Sequence, residues 1–243
     1  MKHLDAKHYL LRISINHDKV PSFEEYPYCL SVCRNMKDLV FHPSVTFLVG
    51  ENGTGKSTLL EAIAVAMGFN AEGGSRNFRF STRASHSPLH EALTVQRGLK
   101  RPRDGFFLRA ESFYNVATEV DHLGAQGYGE KSLHELSHGE SFMALVMERF
   151  FGNGLYILDE PEVALSPNRQ LALLARMHDL VRDASQFIIA THSPILMAYP
   201  NAVIYTLENE TVQKIDYTDT EHFVVTKQFL NNHEEVLDAL LRE

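Results

Sequence analysis

The sequence has few of the features that mark secreted, membrane-spanning or disulfide-rich proteins. Its 243 residues include only two cysteines, Cys29 and Cys33, and their spacing places them on one face of a predicted strand as free buried thiols rather than in a disulfide framework. No apolar run reaches the roughly 18 residues of a membrane span. Residues 1–15 carry charges and histidines where a signal peptide has an apolar block. We therefore expect a cytoplasmic protein without direct membrane insertion.

An excess of basic residues is also missing. The chain has 23 Lys and Arg against 31 Asp and Glu, which gives a formal net charge of −8. This balance excludes a globally basic nucleic-acid binder, although it leaves room for a local basic patch. Hydrophobic residues make up 44% of the chain, enough for one sizeable core. Because there is no internal repeat, low-complexity tract or long polar linker, we expect one domain over residues 1–243.

Short apolar segments alternate with helical patterns along most of the chain. The pattern predicts strands at 9–15, 28–33, 45–49, 106–109, 155–158 and 187–190, and helices at 58–67, 137–151, 168–183 and from 221 onwards. Fully apolar strands that alternate with helices are typical of an α/β fold with a largely parallel sheet covered on both faces.

Residues 50–57 read GENGTGKS, which fits the phosphate-binding pattern G-x-x-x-x-G-K-S. The segment follows an apolar strand and precedes a helix, as this motif requires. Glycines let backbone N–H groups curl around phosphate oxygens, and the helix N-terminus adds partial positive charge. Lys56 is predicted to reach the β- and γ-phosphates and Ser57 to bind Mg²⁺. The predicted nucleotide-binding residues are Asn52, Gly53, Thr54, Gly55, Lys56, Ser57 and Thr58.

Residues 155–162 read LYILDEPE, an apolar strand that ends in two adjacent carboxylates. Asp159, at the end of a buried parallel strand, is predicted to hold the Mg²⁺ directly or through a water. Glu160 points elsewhere and is predicted to orient or deprotonate an attacking water. A solvated strand end explains one acid here, but not two.

Residues 136–140 read LSHGE and precede an apolar helix. Ser137 and Glu140 form a predicted capping box, and a capped helix N-terminus is itself suited to phosphate binding. With the phosphate loop, the LYILDE strand and the later Thr-His-Ser at 191–193, the order of blocks resembles that of the ATP-binding cassette (ABC) ATPases. The resemblance covers roughly residues 28–200.

This resemblance implies an ATPase of the P-loop type, with a parallel core sheet, an antiparallel β subdomain and a small helical lid at about residues 70–150. It implies an ATP-dependent homodimer in which each ATP lies between Lys56 of one copy and Ser137 and Gly139 of the other. Glu160 is similar to the catalytic base, and His192 to the switch histidine that contacts the γ-phosphate. Residues 164–167 (ALSP) occupy the place of the loop that communicates across the dimer, with proline in place of the usual acid.

Two positions depart from the pattern of transporter cassettes. Glu140 replaces the glutamine at the end of the signature, and the glutamine that opens the lid region is missing. Glu111 corresponds best to that lid position, where its carboxylate would serve Mg²⁺ or water, and Gln96 is the rival. A surface or capping role for Glu111 is the alternative.

Glu140 and the GENG opening make the chain similar to the SMC/RecF-like branch, and within it to small stand-alone ATPases. Proteins of the SMC/RecF-like branch act in DNA maintenance and phage defence, whereas the resemblance to the small stand-alone group implies no particular role. The expected function is therefore ATP hydrolysis that drives a conformational change in a protein partner, such as a nuclease or other effector. Two alternatives remain: the ATP-binding subunit of a membrane transporter, and a non-hydrolysing nucleotide sensor inside a toxin or nuclease complex.

Two further groups of residues carry weaker signals, and a third group, of histidines, does not fit a metal site. Seven basic residues suggest a contact with nucleic-acid or nucleotide phosphate, with a solvated surface as an equal alternative; they are Arg76, Arg79, Arg83, Arg97, Lys100, Arg101 and Arg103. Tyr26, Tyr28 and Arg34 are candidates to stack on adenine, and for the two tyrosines core packing is at least as good an explanation. The histidine pairs His86/His90 and His134/His138 lack the partners of a zinc site.

Overall fold

The computed structural model describes residues 8–75, 87–109, 137–208 and 211–242. The strands in these residues are β1 (Leu10–Ile15), β2 (Leu39–Val40), β3 (Val45–Val49), β4 (Gly74–Ser75), β5 (Leu93–Arg97), β6 (Asp104–Arg109), β7 (Gly154–Asp159), β8 (Gln186–Ala190), β9 (Val203–Glu208) and β10 (Thr211–Ile215). The helices are α1 (Ser31–Asn35), α2 (Lys56–Ala66), α3 (Leu89–Ala92), α4 (His138–Arg149), α5 (Pro167–Arg182), α6 (Pro194–Met197), α7 (Glu221–Asn231) and α8 (His233–Leu241).

The larger sheet has the strand order β10-β9-β3-β8-β7-β6-β4. Its five central strands, from β9 to β6, are parallel, whereas β10 and β4 pair antiparallel at the two edges. A second sheet, β2-β1-β5, is antiparallel throughout. The predicted parallel core and antiparallel subdomain are both confirmed.

Both faces of the larger sheet are buried, because alternate residues of each central strand enter different hydrophobic clusters. In β7, Leu155 and Ile157 join a cluster with α2 and the antiparallel sheet. Tyr156 and Leu158 join a cluster with α4, α5 and α6 on the other face. This two-sided burial explains why the central strands are continuous apolar runs rather than alternating ones.

One predicted strand, at residues 28–33, is wrong. The segment contains the start of α1, and Val32 and Cys33 are buried next to each other there. The two cysteines therefore do not share a strand face, although both are free thiols and Cys33 is buried.

The predicted lid at about 70–150 includes residues that belong to the core. Strand β6 lies in the parallel sheet, and α4 packs on it through Phe142 and Leu145. These parts of the range are therefore not lid. The rest of the predicted lid falls largely on 76–86 and 110–136, outside the described residues, so a helical lid stays a prediction.

Candidate functional site

The phosphate loop connects the carboxyl end of β3 to the N-terminus of α2. Gly55 is the N-cap of α2 and has a φ of 96°, a left-handed conformation that favours glycine. Within the described residues, the backbone N–H groups of Gly53, Gly55 and Lys56 donate no hydrogen bond. The loop therefore has N–H groups without an acceptor at a helix N-terminus, the arrangement that binds phosphate.

Lys56 lies beneath this loop and is only 4% exposed. Its Nζ donates to the carbonyl oxygens of Gly50 and Glu51, each at 2.7 Å. Burial lowers the pKa of Lys56, and the nearby carboxylates, Glu160 first, oppose that shift. The ammonium group is thus held at the loop by backbone carbonyls rather than by a side-chain carboxylate.

Ser57 and Asp159 meet at the edge of the sheet where β3 and β7 end. The Oγ of Ser57 donates to Oδ1 of Asp159 at 3.0 Å. Asp159 is 6% exposed, and the Nε of Arg109 lies 3.9 Å from its Oδ2. Two of the three predicted magnesium ligands are therefore side by side, and both offer the oxygen atoms that Mg²⁺ prefers.

Behind Asp159, Arg109 forms an ion pair with a carboxylate of α2. Arg109 Nη1 lies 2.5 Å from Oε2 of Glu61, which is 7% exposed. The other oxygen of Glu61 accepts from the backbone N–H of Ser87 at 2.9 Å. Parallel register places Arg109 opposite Asp159. This pair fixes the phosphate-loop helix to the strand that carries the acidic residues.

Glu160 follows β7 with a left-handed backbone, φ 49° and ψ 53°. A non-glycine residue in this region is strained, and such strain concentrates at functional sites. Its backbone N–H donates to Ala190 at the end of β8. Its Oε1 lies 3.5 Å from Nε2 of His192. This backbone conformation directs the carboxylate of Glu160 towards His192, two residues after the end of β8.

His192 is partly buried and is held from two sides. Its backbone N–H donates to Oε1 of Glu162 at 2.5 Å, and its Nδ1 lies 2.9 Å from Nε2 of His222. Burial lowers the pKa of His192, the charge of Lys56 lowers it further, and Glu160 opposes both. Burial raises the pKa of Glu162. The lowered pKa favours the neutral imidazole of His192, and the two contacts fix its orientation.

The signature segment forms the capped start of α4, as predicted. The backbone N–H of Ser137 donates to Oε2 of Glu140 at 3.0 Å, and its Oγ to the same atom at 2.7 Å. These bonds lower the pKa of Glu140. Ser137 is exposed, whereas Gly139 is buried. A Cβ at Gly139 would lie 2.6 Å from the carbonyl oxygen of Ala164, so close packing also explains this glycine.

The segment at 164–167 joins a single 3-10 turn, Pro161–Ala164, to α5. Val163 in this turn is 69% exposed, and Pro167 is the first residue of α5 with Ser166 as N-cap. Proline is well suited to the first position of a helix because its missing N–H would have no partner there.

The three adenine-stacking candidates differ in position. Tyr28 is 5% exposed and belongs to the core, so a stacking role for it is wrong. Tyr26 is 65% exposed, and its Oη lies 3.2 Å from Oγ1 of Thr58 in α2. Arg34 is exposed on α1 and donates to the carbonyl of Phe23. Tyr26 and Arg34 therefore remain candidates.

Several other predicted residues cannot be placed or are not at the site. Glu111, like Arg76, Arg79, Arg83, His86 and His134, lies outside the described residues. Gln96 is on β5 of the antiparallel sheet, opposite Arg12, and not on the core sheet. Arg97, Lys100 and Arg101 line a cavity of about 510 Å³ beside the end of α2.

Sequence reasoning missed Arg109, Glu61, Glu162 and His222 as members of this site. Arg109 had a usable signal, because it ends a strand that runs parallel to the one bearing Asp159. Contacts of the other three depend on how α2, the Pro161 turn and α7 pack, which no local pattern shows. In the part of the chain that the structure describes, no three His, Cys, Asp or Glu side chains cluster as a ready metal site, and no helix is long and apolar enough to cross a membrane.

A parallel sheet with a glycine-rich loop, a lysine and a serine after one strand and an acid at the end of another defines a P-loop nucleotide-binding protein. A family model described as "AAA domain, putative AbiEii toxin, Type IV TA system" matches residues 77–198, half of the chain. A second model, described as "AAA domain", matches residues 28–106. The chain belongs to the AAA/ABC ATPases, a family that binds and hydrolyses ATP.

Individual relatives agree with this assignment. The chain is 31% identical over 170 residues to the thiamine import ATP-binding protein ThiQ of Ruegeria sp. (strain TM1040), a match that covers 60% of this chain and 70% of that one. It is 27% identical over 171 residues to the ABC transporter G family member STR2 of Medicago truncatula. That match covers 62% of this chain but only 24% of the plant protein.

Among solved structures, the chain is similar in fold to cbiO1 from Clostridium perfringens, described as part of the ABC transporter complex cbiONQ. The TM-score is 0.50 at 15% sequence identity, and the match covers 94% of this chain and 97% of that one. At this identity the likeness establishes the fold alone.

Proposed function

We propose that this ATPase works as a cytoplasmic switch in which two copies close around two ATP molecules and change the conformation of a protein partner. The observation that carries the proposal is the convergence of Lys56, Ser57 and Asp159 at the carboxyl ends of β3 and β7, beside bare N–H groups of the phosphate loop. A triphosphate has the charge and shape that such a cradle accepts.

Lys56 and the loop amides would bind the β- and γ-phosphate oxygens and would stabilise the transferring phosphoryl group. Ser57 and Asp159 would hold a Mg²⁺, since their oxygen atoms are already 3.0 Å apart. When bound, the metal ion supplies positive charge to the phosphates and orients them. Asn52 and Gly53 are exposed at the open side of the loop and complete the phosphate contacts.

Glu160 would orient and deprotonate the attacking water, with His192 directed at the γ-phosphate through Nε2. Glu160 Oε1 and His192 Nε2 are 3.5 Å apart. The carboxylate that binds the attacking water and the N–H group that donates to the γ-phosphate would therefore lie next to each other. Proton acceptance by a positioned carboxylate and charge stabilisation by fixed donors are the two contributions that this reaction needs.

Closure by a second copy is supported by what each copy leaves exposed. Ser137 and His138 at the start of α4 are exposed, as are the phosphate-loop residues Asn52 and Gly53. Val163, an apolar side chain in the turn after Glu160, is 69% exposed. A two-fold arrangement would place the α4 N-terminus of one copy, with its Ser137 and Gly139, on the γ-phosphate held by the other.

The partner is proposed to be an effector such as a nuclease, in DNA maintenance or phage defence. Support comes from the family model whose description names a toxin of a Type IV TA system. A transporter role is the second candidate, because ThiQ is named an import ATP-binding protein. Pull-down from native cells separates the two: a membrane permease in the bound fraction favours the transporter, and an effector protein or nucleic acid favours the switch.

The variant Glu160→Gln tests the switch directly. It keeps the size of the side chain but removes the carboxylate, so ATP should bind and persist. We expect size-exclusion chromatography with light scattering to show a species of twice the 27.5 kDa monomer mass with Mg-ATP, and a monomer without it.

The control is the double variant Lys56→Ala/Glu160→Gln, which should remain monomeric with ATP because the phosphate cradle has lost its cation. A Glu160→Gln chain that stays monomeric at saturating ATP contradicts the proposed closure. A double variant that still dimerises contradicts the role of the phosphate loop.

A further inference from the structure

Helix α7 contacts the nucleotide site through His222. His222, the second residue of α7, places its Nε2 2.9 Å from Nδ1 of His192, and the ring centroids are 5.0 Å apart. A cavity of about 540 Å³ lies between α7 and the phosphate loop, lined by Asn52, His192 and His222 among others. The helix therefore forms one wall of the space next to the γ-phosphate position.

The start of α7 is held firmly enough to fix His222. Thr220, the N-cap, is 1% exposed; its Oγ1 donates to the carbonyl of Tyr217 at 2.8 Å and accepts from the N–H of Phe223 at 3.4 Å. The rings of Tyr217 and Phe223 pack with centroids 4.7 Å apart. The capped and packed start of α7 thus fixes the position of the His222 imidazole.

The contact between the two imidazoles decides which nitrogen of His192 carries its proton. Two neutral rings share one hydrogen bond, so one ring must donate and the other accept. If His192 donated from Nδ1, its Nε2 would present a lone pair to the Glu160 carboxylate 3.5 Å away, which is repulsive. If His222 donates from Nε2, His192 carries its proton on Nε2, where it points at Glu160 and the nucleotide.

The second arrangement also agrees with the far side of His222. Its Nδ1 is buried without a hydrogen-bond partner in the described residues. With the proton on Nε2, that buried atom is an acceptor, and an unsatisfied acceptor is tolerated better than an unsatisfied N–H donor. Nε2 of His192 is also buried without a hydrogen-bond partner in the described residues, and in this arrangement its proton faces the Glu160 carboxylate 3.5 Å away. Burial lowers the pKa of both histidines, which favours the neutral form of both rings.

We propose that His222 is a positioning residue, which donates from Nε2 to Nδ1 of His192 and so holds His192 as the Nε2–H tautomer that can donate to the γ-phosphate. The inference rests on the proposed function and adds a residue from outside the recognised motifs. It also links the position of α7 to the catalytic centre, since a shift of this helix would break the contact with His222 that fixes the tautomer of His192.

Steady-state ATPase kinetics of His222 variants test this role. His222→Phe keeps an aromatic ring but cannot donate, and we expect kcat to fall about tenfold or more while KM for ATP changes less than about twofold. His222→Gln places an amide N–H near the position of Nε2 and should recover most of kcat. Gln228→Ala on the same helix is the matched control and should behave as wild type.

A merely structural role for His222 would show a different pattern. In that case Phe and Gln variants would lose kcat equally, in step with a lowered thermal midpoint, and the proposal would be overturned. Wild-type kcat in His222→Phe would overturn it as well.

Nitrogen-15 NMR of the nucleotide-free chain tests the tautomer without turnover. With the His192 signals assigned by their loss in His192→Gln, wild type should show a protonated Nε2 and a bare Nδ1, and His222→Phe a mixture. A protonated Nδ1 in wild type refutes this inference and leaves ATP hydrolysis intact. The expected tautomer in a chain that hydrolyses no ATP refutes the proposed function instead.

Discussion

Lys56 shows at the scale of one residue how the site is prepared for its ligand. A buried ammonium group needs partners, and Lys56 finds them in two backbone carbonyls of its own loop. Because neither partner is a carboxylate, the side chain can exchange these weaker contacts for phosphate oxygens at little cost. The unpaired backbone N–H groups of the loop can likewise bind phosphate without first breaking another hydrogen bond.

The ion pair between Arg109 and Glu61 yields a prediction about stability. Arg109→Met leaves the carboxylate of Glu61 buried without its guanidinium partner, and removal of one member of a buried pair costs about 3–5 kcal/mol in unfolding free energy. The double variant Arg109→Met/Glu61→Gln should recover much of that loss, since the amide oxygen can still accept from Ser87.

Urea unfolding of the wild type, both single variants and the double variant measures this coupling. If the double variant loses the sum of the two single losses, the residues act independently and the account of the pair is wrong. We expect instead that the two substitutions are coupled, so that the double variant is more stable than Arg109→Met alone.

At this scale the sequence predicted the residues whose roles depend on local spacing. The phosphate loop, the Asp159-Glu160 pair, the Ser137 capping box and His192 could be located because each motif sits at the junction of a strand or helix that the pattern also predicts. Glu61 and His222 could not be located, because their contacts are made by packing between segments that are distant in the chain, 48 residues in one case and 30 in the other.

Among elements, α1 shows where pattern reading fails. A run of six residues is too short to separate a period of two from one of 3.6. In residues 28–33 the buried neighbours Val32 and Cys33, followed by Met36, fit a helix face, whereas the sequence alone suggested alternation. Strand β7 is equally short but gave no such ambiguity, because its apolar run is continuous and Gly154–Asp159 is buried at every position.

Asp104 connects β6 to the end of α4 and gives the fold a dependence on pH. Burial alone would raise the pKa of Asp104, but hydrogen bonds from Tyr156, Phe151 and Arg149 outweigh it and lower the pKa. Arg149 Nη1 and Tyr156 Oη lie 2.7 Å and 2.6 Å from its carboxylate. A depressed pKa means stability that is complete above the unfolded value of about 4 and is lost as the pH falls through the folded value.

We expect Asp104→Asn to lower the unfolding free energy at pH 7 by about 1–3 kcal/mol and to lower it much less below pH 3. Asp38→Asn is the control, since Asp38 pairs with Arg12 at the surface, where such pairs contribute about 1 kcal/mol or less. Urea unfolding at several pH values measures both. A loss from Asp104→Asn that is the same at pH 7 and pH 3 would contradict the assignment.

For the whole molecule, the fold class was predictable and the arrangement of its strands was not. Alternating apolar strands and helices require a parallel sheet covered on both faces, as observed. The order β9-β3-β8-β7-β6 is set by crossover connections whose path leaves no local signal. That order is what places the ends of β3, β7 and β8 side by side, and with them Lys56, Asp159 and His192.

The central claim is that each nucleotide site combines Lys56 of one copy with Ser137 of another. Lys56→Ala and Ser137→Phe should each be inactive alone, since each homodimer then lacks half of both sites. A mixed dimer has one site with both wild-type halves, so ATPase activity of the equimolar mixture should rise well above the sum of the two separate variants. A mixture no more active than that sum would contradict the account.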